Sequence, residues 1–241
     1  MNVVARRAAK FPLRLDQMNP RSSPNAGGSV PLMGPGAGAT PAGLGMDSEQ
    51  IRLRMVQRLR DGGLTDRRVL DAMATIRRHE FLDTALAVQA YQDTSLPIGH
   101  GQTISKPTIV ARMIELLFDG AAARQAQGLG RVLEIGTGCG YQAAVLGCLA
   151  ARVCGMEIVE SLAREAQERL GRLGYSNIEI RCRDGYAGWP EQAPFDAILV
   201  GAAAPRIPEP LKEQLKKGGR LIVPVGDHAQ ELKIVTRRGA T

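Results

Sequence analysis

The sequence predicts one α/β domain built on a Rossmann-like, doubly wound and mostly parallel sheet with helices on both faces. Segments typical of strands and helices alternate along the second half of the chain, which is the pattern of such a sheet. A short apolar run at Val132–Ile135 leads through three glycines into a helix-forming segment. The length of 241 residues and a hydrophobic content of 44% suffice for one sizeable core.

Three helices are predicted ahead of the sheet, where they form an N-terminal helical subdomain. The first begins at Asp47 or Ser48, either of which can cap it, and ends at the glycine pair 62–63. Asp66 opens the second helix. Pro107 suits a first helical position and opens the third.

Strands and helices alternate from residue 131 onwards. The predicted strands cover 131–135, 152–157, 177–182, 195–200, 219–225 and 231–236. The predicted helices between them cover 141–150, 159–172 and 208–217. The strand at 195–200 is apolar enough to lie in the middle of a sheet that is covered on both faces.

Residues 1–46 are expected to form a disordered, low-complexity basic tail. They contain six prolines and seven glycines without apolar periodicity. The folded domain then covers 47–241, with the N-terminal helices and a functional loop in 47–120 and the sheet in 130–237.

Composition argues against several classes of function. The tail holds a net charge of +4 out of the formal +7, so no nucleic-acid-binding face is expected on the folded part. No segment reaches the roughly 18 apolar residues of a membrane span. The four cysteines lack the spacing of a zinc site, and reduced thiols favour the cytoplasm. We expect no metal, no membrane association and a cytoplasmic monomer.

The glycine-rich turn predicts a cofactor site. Glycines at 136, 138 and 140 give a G-x-G-x-G spacing, and Glu134 precedes them by two residues. A dinucleotide fingerprint would place its third glycine at the position of Tyr141. The turn instead resembles the cofactor loop of S-adenosylmethionine-dependent methyltransferases. A strand–helix turn that binds nothing is the alternative.

A second acid supports the cofactor hypothesis. Glu157 lies 21 residues after Gly136, at the end of the next predicted strand. An acid at this distance receives ribose hydroxyls in nucleotide-binding folds. The alternative is a solvated carboxylate at a strand end. No basic residue adjoins Glu157 to receive the 2′-phosphate of NADP.

Four segments narrow the resemblance to one family. They are I-G-H-G-Q-T-I-S-K-P at 98–107, R-D-G-Y-A-G-W-P at 183–190, V-G-A-A-A-P-R-I-P at 200–208 and K-G-G-R-L-I-V-P-V-G at 217–226. Together they resemble the protein-L-isoaspartate O-methyltransferase family over about residues 48–237. The G-Q-T-I-S-x-P segment is the most specific of the four.

The resemblance implies an activity. The enzyme would methylate the free α-carboxylate of L-isoaspartyl residues in damaged proteins and peptides and thereby initiate their repair. S-adenosyl-L-methionine would be the cofactor and S-adenosyl-L-homocysteine its product. A carboxylate is already ionised at neutral pH, so this reaction requires no general base.

The resemblance also assigns roles to residues. Ser105 is the expected catalytic position, although it could instead cap the helix that begins at Pro107. The expected cofactor-binding residues are Thr103, Ile104, Glu134, Gly136, Thr137, Gly138, Gly140, Glu157, Asp184 and Gly185. For Asp184 and Gly185 the alternative is an ordinary Asp-Gly turn. The loop 202–208 is expected to border the peptide cleft.

One departure from the family leaves alternatives open. Family members continue past the strand near 231–236 into a last strand, which this sequence lacks. An open sheet edge is therefore expected there. A truncated homologue that binds cofactor without catalysis, or another S-adenosylmethionine-dependent methyltransferase, remains as an alternative function.

Overall fold

The computed structural model describes residues 3–7, 49–226 and 230–238. Its helices are α1 Glu49–Asp61, α2 Arg67–Thr75, α3 Pro107–Phe118, α4 Ala121–Ala126, α5 Tyr141–Gly147, α6 Glu160–Arg172 and α7 Glu209–Glu213. Its strands are β1 Val3–Arg7, β2 Leu96–Gly99, β3 Gln102–Ile104, β4 Arg131–Ile135, β5 Arg152–Glu157, β6 Ile178–Cys182, β7 Phe195–Val200, β8 Leu215–Val225 and β9 Glu231–Arg237. The predicted caps Asp47 and Ser48 lie outside the described residues.

Seven of the described strands form one sheet in the order β1-β9-β8-β7-β4-β5-β6. The pairs β7–β8, β4–β7, β4–β5 and β5–β6 are parallel, whereas β8–β9 and β1–β9 are antiparallel. The carboxyl ends of the parallel strands therefore meet at one edge, where ligands bind in folds of this kind. The predicted class of sheet is confirmed.

Both faces of the sheet are buried. Neighbouring residues of a strand point to opposite faces, and Val132 and Leu133 belong to different core clusters. Leu221 and Ile222, which are also neighbours in a strand, likewise belong to different core clusters. The larger cluster includes the apolar faces of α1, α2, α3 and α5, so the N-terminal helices cover one side of the sheet.

The N-terminal helices are joined by polar contacts as well as by apolar packing. The Asp66 carboxylate accepts hydrogen bonds from the first backbone N–H groups of α2, as the sequence predicts for an N-cap. The buried carboxylate of Glu115 on α3 accepts hydrogen bonds from the backbone N–H groups of Thr65 and Asp66, at 2.7 and 2.9 Å. The turn before α2 is therefore attached to α3.

The outer edge of the sheet differs from the expectation. Strand β1 pairs antiparallel with β9, with Val3 opposite Arg237 and Arg7 opposite Lys233. For residues 3–7 the structure thus has an ordered strand within the predicted tail, and the outer edge of β9 is paired rather than open. The rest of the predicted tail, 8–46, lies outside the described residues.

Two further elements differ from the prediction. The helix predicted over 208–217 is limited to Glu209–Glu213, and β8 begins already at Leu215. The Gln214 carbonyl accepts a hydrogen bond from the Phe195 N–H at 2.8 Å, which draws this part of the chain into the sheet. The segment before α3, which carries no periodic pattern, forms the hairpin of β2 and β3.

The described residues contain neither a membrane-spanning helix nor a metal-binding cluster. Among the residues described, no helix has both the length and the apolar character needed to cross a membrane. The same ranges contain no group of three or more histidine, cysteine, aspartate or glutamate residues placed to hold a metal ion.

Candidate active site and cofactor loop

The glycine loop follows the carboxyl end of β4 and adopts the left-handed backbone conformation that its glycines permit. Gly136 and Gly138 have φ angles of 82° and 55°, in the left-handed region that favours glycine. The N–H groups of Gly136 and Thr137 both donate to the Met156 carbonyl of β5, at 2.8 and 3.2 Å. The loop is therefore fixed to the neighbouring parallel strand.

Glu157 fastens the same loop from the end of β5. Its carboxylate accepts hydrogen bonds from the Gly138 N–H at 2.7 Å and from the Val159 N–H at 3.0 Å. The side chain is buried, so the alternative of a solvated strand-end carboxylate is wrong. Each carboxylate oxygen can accept a second hydrogen bond, which leaves Glu157 able to receive hydroxyl groups.

Glu134 lies beneath the loop, and its carboxylate has fewer hydrogen-bond donors around it than it can accept. The residue is fully buried, and its Oε1 accepts one hydrogen bond from the Gln142 amide at 3.0 Å. Within the described ranges, neither its Oε2 nor the buried Thr137 hydroxyl has a partner at full hydrogen-bonding geometry. Burial raises the pKa of Glu134 to about 7, although the Gln142 amide and the Thr137 hydroxyl beside the carboxylate act in the opposite direction.

Gly155 makes room for these polar atoms. It lies opposite Glu134 in the β4–β5 ladder. A Cβ atom at Gly155 would lie 2.6 Å from the Thr137 Oγ1 and 2.4 Å from the Ile180 Cδ1. Any larger residue would therefore displace the Thr137 hydroxyl from its place beside Glu134.

The β2–β3 hairpin packs against the glycine loop. A Cβ atom at Gly138 would lie 3.0 Å from the Ile98 Cδ1, which places β2 in direct contact with the loop. At the tip of the hairpin, the His100 Nε2 and the Ser161 Oγ are 2.8 Å apart. The hairpin therefore spans from the glycine loop to the start of α6, and the chain leaves it directly into Ser105.

Ser105 does not cap α3. The Asp93 carboxylate accepts the hydrogen bond from the Thr108 N–H at 2.9 Å and caps the helix from outside. Ser105 is half-buried, and its hydroxyl forms no hydrogen bond with the described residues. The helix-cap interpretation of Ser105 is thus wrong. Of its predicted neighbours, Thr103 is exposed and Ile104 lies in the core.

Asp184 and Gly185 lie at the same edge of the sheet. The Asp184 Oδ1 accepts a hydrogen bond from the Tyr186 N–H at 2.9 Å, which forms the turn given as the alternative, and leaves Oδ2 available. A Cβ atom at Gly185 would lie 2.3 Å from the Ile135 Cγ2 at the end of β4. Glycine is therefore required here by packing against β4, and the residue is buried.

Cys139 lies within the glycine loop and has the features of a structural residue. Its side chain is buried, and burial raises the pKa of the thiol. Its carbonyl accepts a hydrogen bond from the Arg169 guanidinium at 2.8 Å. Both features favour an inert thiol that helps to hold the loop.

Two apolar side chains at this edge were not singled out from the sequence. Ile158, directly after Glu157, is 69% exposed, and Tyr186, next to Gly185, is 51% exposed. A single exposed apolar side chain is ordinary, but these two lie just after the ends of β5 and β6, at the edge where the cofactor is expected. In the sequence, the position of Ile158 directly after Glu157 was the signal that could have identified it as a cofactor-site residue. The loop 202–208 also begins here, with Ala202 next to Gly136.

A glycine loop, a second-strand acid and a doubly wound sheet define a nucleotide-binding, Rossmann-like class of fold, and the class I methyltransferases share it. The family model "Protein-L-isoaspartate(D-aspartate) O-methyltransferase (PCMT)" matches residues 50–241. The chain therefore belongs to that family.

Relatives and a solved structure agree with this assignment. The chain is 48% identical to a protein-L-isoaspartate O-methyltransferase of Methylibium petroleiphilum, over 94% of this chain and 86% of the relative. It is 52% identical to one from Burkholderia vietnamiensis, over 83% of this chain but only 63% of the relative's length. A putative protein-L-isoaspartate O-methyltransferase from Plasmodium falciparum, solved with S-adenosyl-L-homocysteine, aligns at 26% identity and a TM-score of 0.65, over 78% of this chain and 90% of that one.

Proposed function

We propose that this protein transfers a methyl group from S-adenosyl-L-methionine to the free α-carboxylate of L-isoaspartyl residues in damaged proteins and peptides. The observation that carries the proposal is the position of Ser105. Its hydroxyl does not cap α3, and the residue directly follows a hairpin that packs on the glycine loop. Family membership supplies the substrate class.

The atoms around the glycine loop fit a cationic, hydrogen-bonding cofactor. Glu134 Oε2 and Thr137 Oγ1 are buried polar atoms without partners in the described ranges, and such atoms call for a ligand or water. Glu134 and Thr137 would hold the methionine end of the cofactor. Gly136, Gly138 and Gly140 would allow the cofactor to approach the backbone closely. S-adenosyl-L-methionine, once bound, supplies an electrophilic methyl group.

The adenosine end fits the neighbouring strand ends. Glu157 would accept hydrogen bonds from ribose hydroxyls with the remaining lone pairs of its carboxylate. Asp184 Oδ2 would receive the adenine amine beside Gly185. The exposed Ile158 and Tyr186 would cover the faces of the base.

The site needs to orient the acceptor rather than activate it. The α-carboxylate has an ordinary pKa of about 3.5 and is ionised at neutral pH. Ser105 would donate a hydrogen bond to one carboxylate oxygen and leave the other facing the methyl group. Such positioning of two reactants can contribute several kcal/mol. Thr103 and Ile104 would complete the wall between acceptor and cofactor.

The remaining assignments follow from this site. The loop 202–208, which begins next to Gly136, would form one wall of the peptide cleft. Residues 47–120 would carry the acceptor side and 130–237 the cofactor side of one domain. All four cysteines are free, which is consistent with action in the reducing cytoplasm. We propose that the protein acts there as a monomer.

A pair of matched peptides tests the proposal. We expect methyl transfer from S-adenosyl-L-methionine to a peptide with one L-isoaspartyl residue and none to the same peptide with L-aspartate. Radiolabelled methyl incorporation into base-labile ester measures both. Equal labelling of the two peptides, or labelling of neither, would refute the proposal.

A further inference from the structure

Arg78 is a buried cation that forms no ion pair among the described residues. It lies in the short 3₁₀ helix Arg78–Phe81 and exposes none of its surface. Burial lowers the pKa of its guanidinium, yet arginine stays protonated in proteins. The carboxylate of Asp93 attracts the Arg78 guanidinium from a distance, but it accepts its hydrogen bond from the Thr108 N–H. Burying a charge in this way is costly, so the contacts that Arg78 makes require an explanation.

The guanidinium joins three separate parts of the chain. Its Nε donates to the Ala90 carbonyl at 2.8 Å, and its Nη2 donates to the Ser105 carbonyl at 2.8 Å. Its Cζ lies 4.7 Å from the centre of the Tyr141 ring. Tyr141 is the residue directly after Gly140, so Arg78 connects the Ser105 segment to the end of the glycine loop.

The Tyr141 ring is itself held in place. It is buried and packs edge-on against Phe81, with ring centres 5.6 Å apart and an interplanar angle of 71°. Arg78 and Phe81 belong to the same 3₁₀ helix. One short helix thus contacts both the residue that follows the cofactor loop and the residue expected to orient the substrate.

We propose that Arg78 is a positioning residue, which sets the separation of Ser105 from the glycine loop and so aligns the bound carboxylate with the methyl group. This inference rests on the proposed function. A guanidinium can donate to two carbonyls in a fixed, planar fork, whereas the lysine ammonium is a flexible point donor. The geometry therefore requires arginine rather than a positive charge alone.

Arg78→Lys tests the inference, and Arg58→Lys is the control for the loss of an arginine–carbonyl hydrogen bond in the same region, at an exposed position. Arg58 donates to the Tyr91 carbonyl at 2.6 Å, next to Ala90, but contacts neither Ser105 nor Tyr141. For Arg78→Lys we expect kcat on the isoaspartyl peptide to fall about ten- to a hundredfold, because a small misplacement of reactants has an effect of this size. Its KM and its affinity for S-adenosyl-L-homocysteine should change less than about twofold, since binding groups are retained.

The outcomes separate this inference from the proposed function. No methylation by the wild type would refute the proposed function and this inference with it. An active wild type with equal kcat values for the two lysine variants, or a loss confined to KM, would refute the inference alone. If Arg78→Lys does not fold, Tyr141→Leu removes the ring beneath the guanidinium and should lower kcat about fivefold at constant cofactor affinity. An unchanged kcat in Tyr141→Leu would then overturn the inference.

Discussion

Two buried glutamates, one in the helical part and one at the end of β4, have very different surroundings. Glu115 on α3 accepts hydrogen bonds from two backbone N–H groups and from the Thr65 hydroxyl, and it pairs with Arg112. Glu134 accepts one hydrogen bond, from Gln142, and its second oxygen has no partner in the described ranges. Both side chains are buried.

The difference separates a structural carboxylate from one that we assign to a ligand site. Glu115 obtains all its donors from the chain and fixes the turn between α1 and α2 to α3. Glu134 lacks donors because the glycine loop above it directs its N–H groups to Met156 and Glu157 instead. A buried polar atom without a partner is costly, and a bound cofactor would supply the missing partner.

The largest expected effect comes from the loop itself. Gly138→Val places a β-branched side chain at a φ of 55° and against Ile98, so we expect cofactor affinity to fall more than about a hundredfold. Gly174→Val is the control, because Gly174 has a φ of 84° with no atom within 4 Å of its would-be Cβ. Calorimetric titration with S-adenosyl-L-homocysteine should show the loss in the first variant only. A similar loss in both would indicate backbone strain alone.

The comparison of the two glutamates predicts a pH effect on stability. The pKa of Glu134 is raised from 4.5 to about 7 in the folded protein, so its contribution to stability is complete below pH 4.5 and is lost as the pH rises to about 7. The loss is on the order of 3 kcal/mol. Glu134→Gln lacks this titration.

Denaturant unfolding of the cofactor-free wild type and of Glu134→Gln between pH 4.5 and 8.5 checks this prediction. The free energy of unfolding of the wild type should decline relative to that of the variant between pH 4.5 and 7 and then level off. A difference between the two proteins that stays constant with pH would show that Glu134 has an ordinary pKa. The variant should also bind S-adenosyl-L-homocysteine more weakly.

The sheet and the family could be predicted from the sequence because their signals are local. Strands β4, β5 and β7 have the predicted bounds, since each is a short, mainly apolar run that ends at an acid or just before a glycine. The family assignment, which depends on short motifs, is confirmed by the family model. The roles of the individual site residues stay predictions.

The features that the sequence did not indicate depend on contacts between distant residues. Asp93 caps α3 from 15 positions before Thr108, and Arg78 reaches Ser105 across 27 positions. No periodicity reports such contacts, and a serine before a helix looks like a cap in the sequence alone. Strand β1 was not predicted for the same reason, because its pairing with β9 joins the two ends of the chain.

The assignment of Ser105 to the acceptor site is the central claim, and a pair of variants tests it most directly. Single-turnover rates on the isoaspartyl peptide and melting temperatures are measured for Ser105→Ala and Asp93→Ala. Ser105→Ala should lower the rate about ten- to a hundredfold, as expected for one orienting hydrogen bond to a charged group, at an unchanged melting temperature. Asp93→Ala should lose about 1 kcal/mol of stability as the true cap of α3. A Ser105→Ala protein that melts earlier and reacts at the wild-type rate would contradict the account.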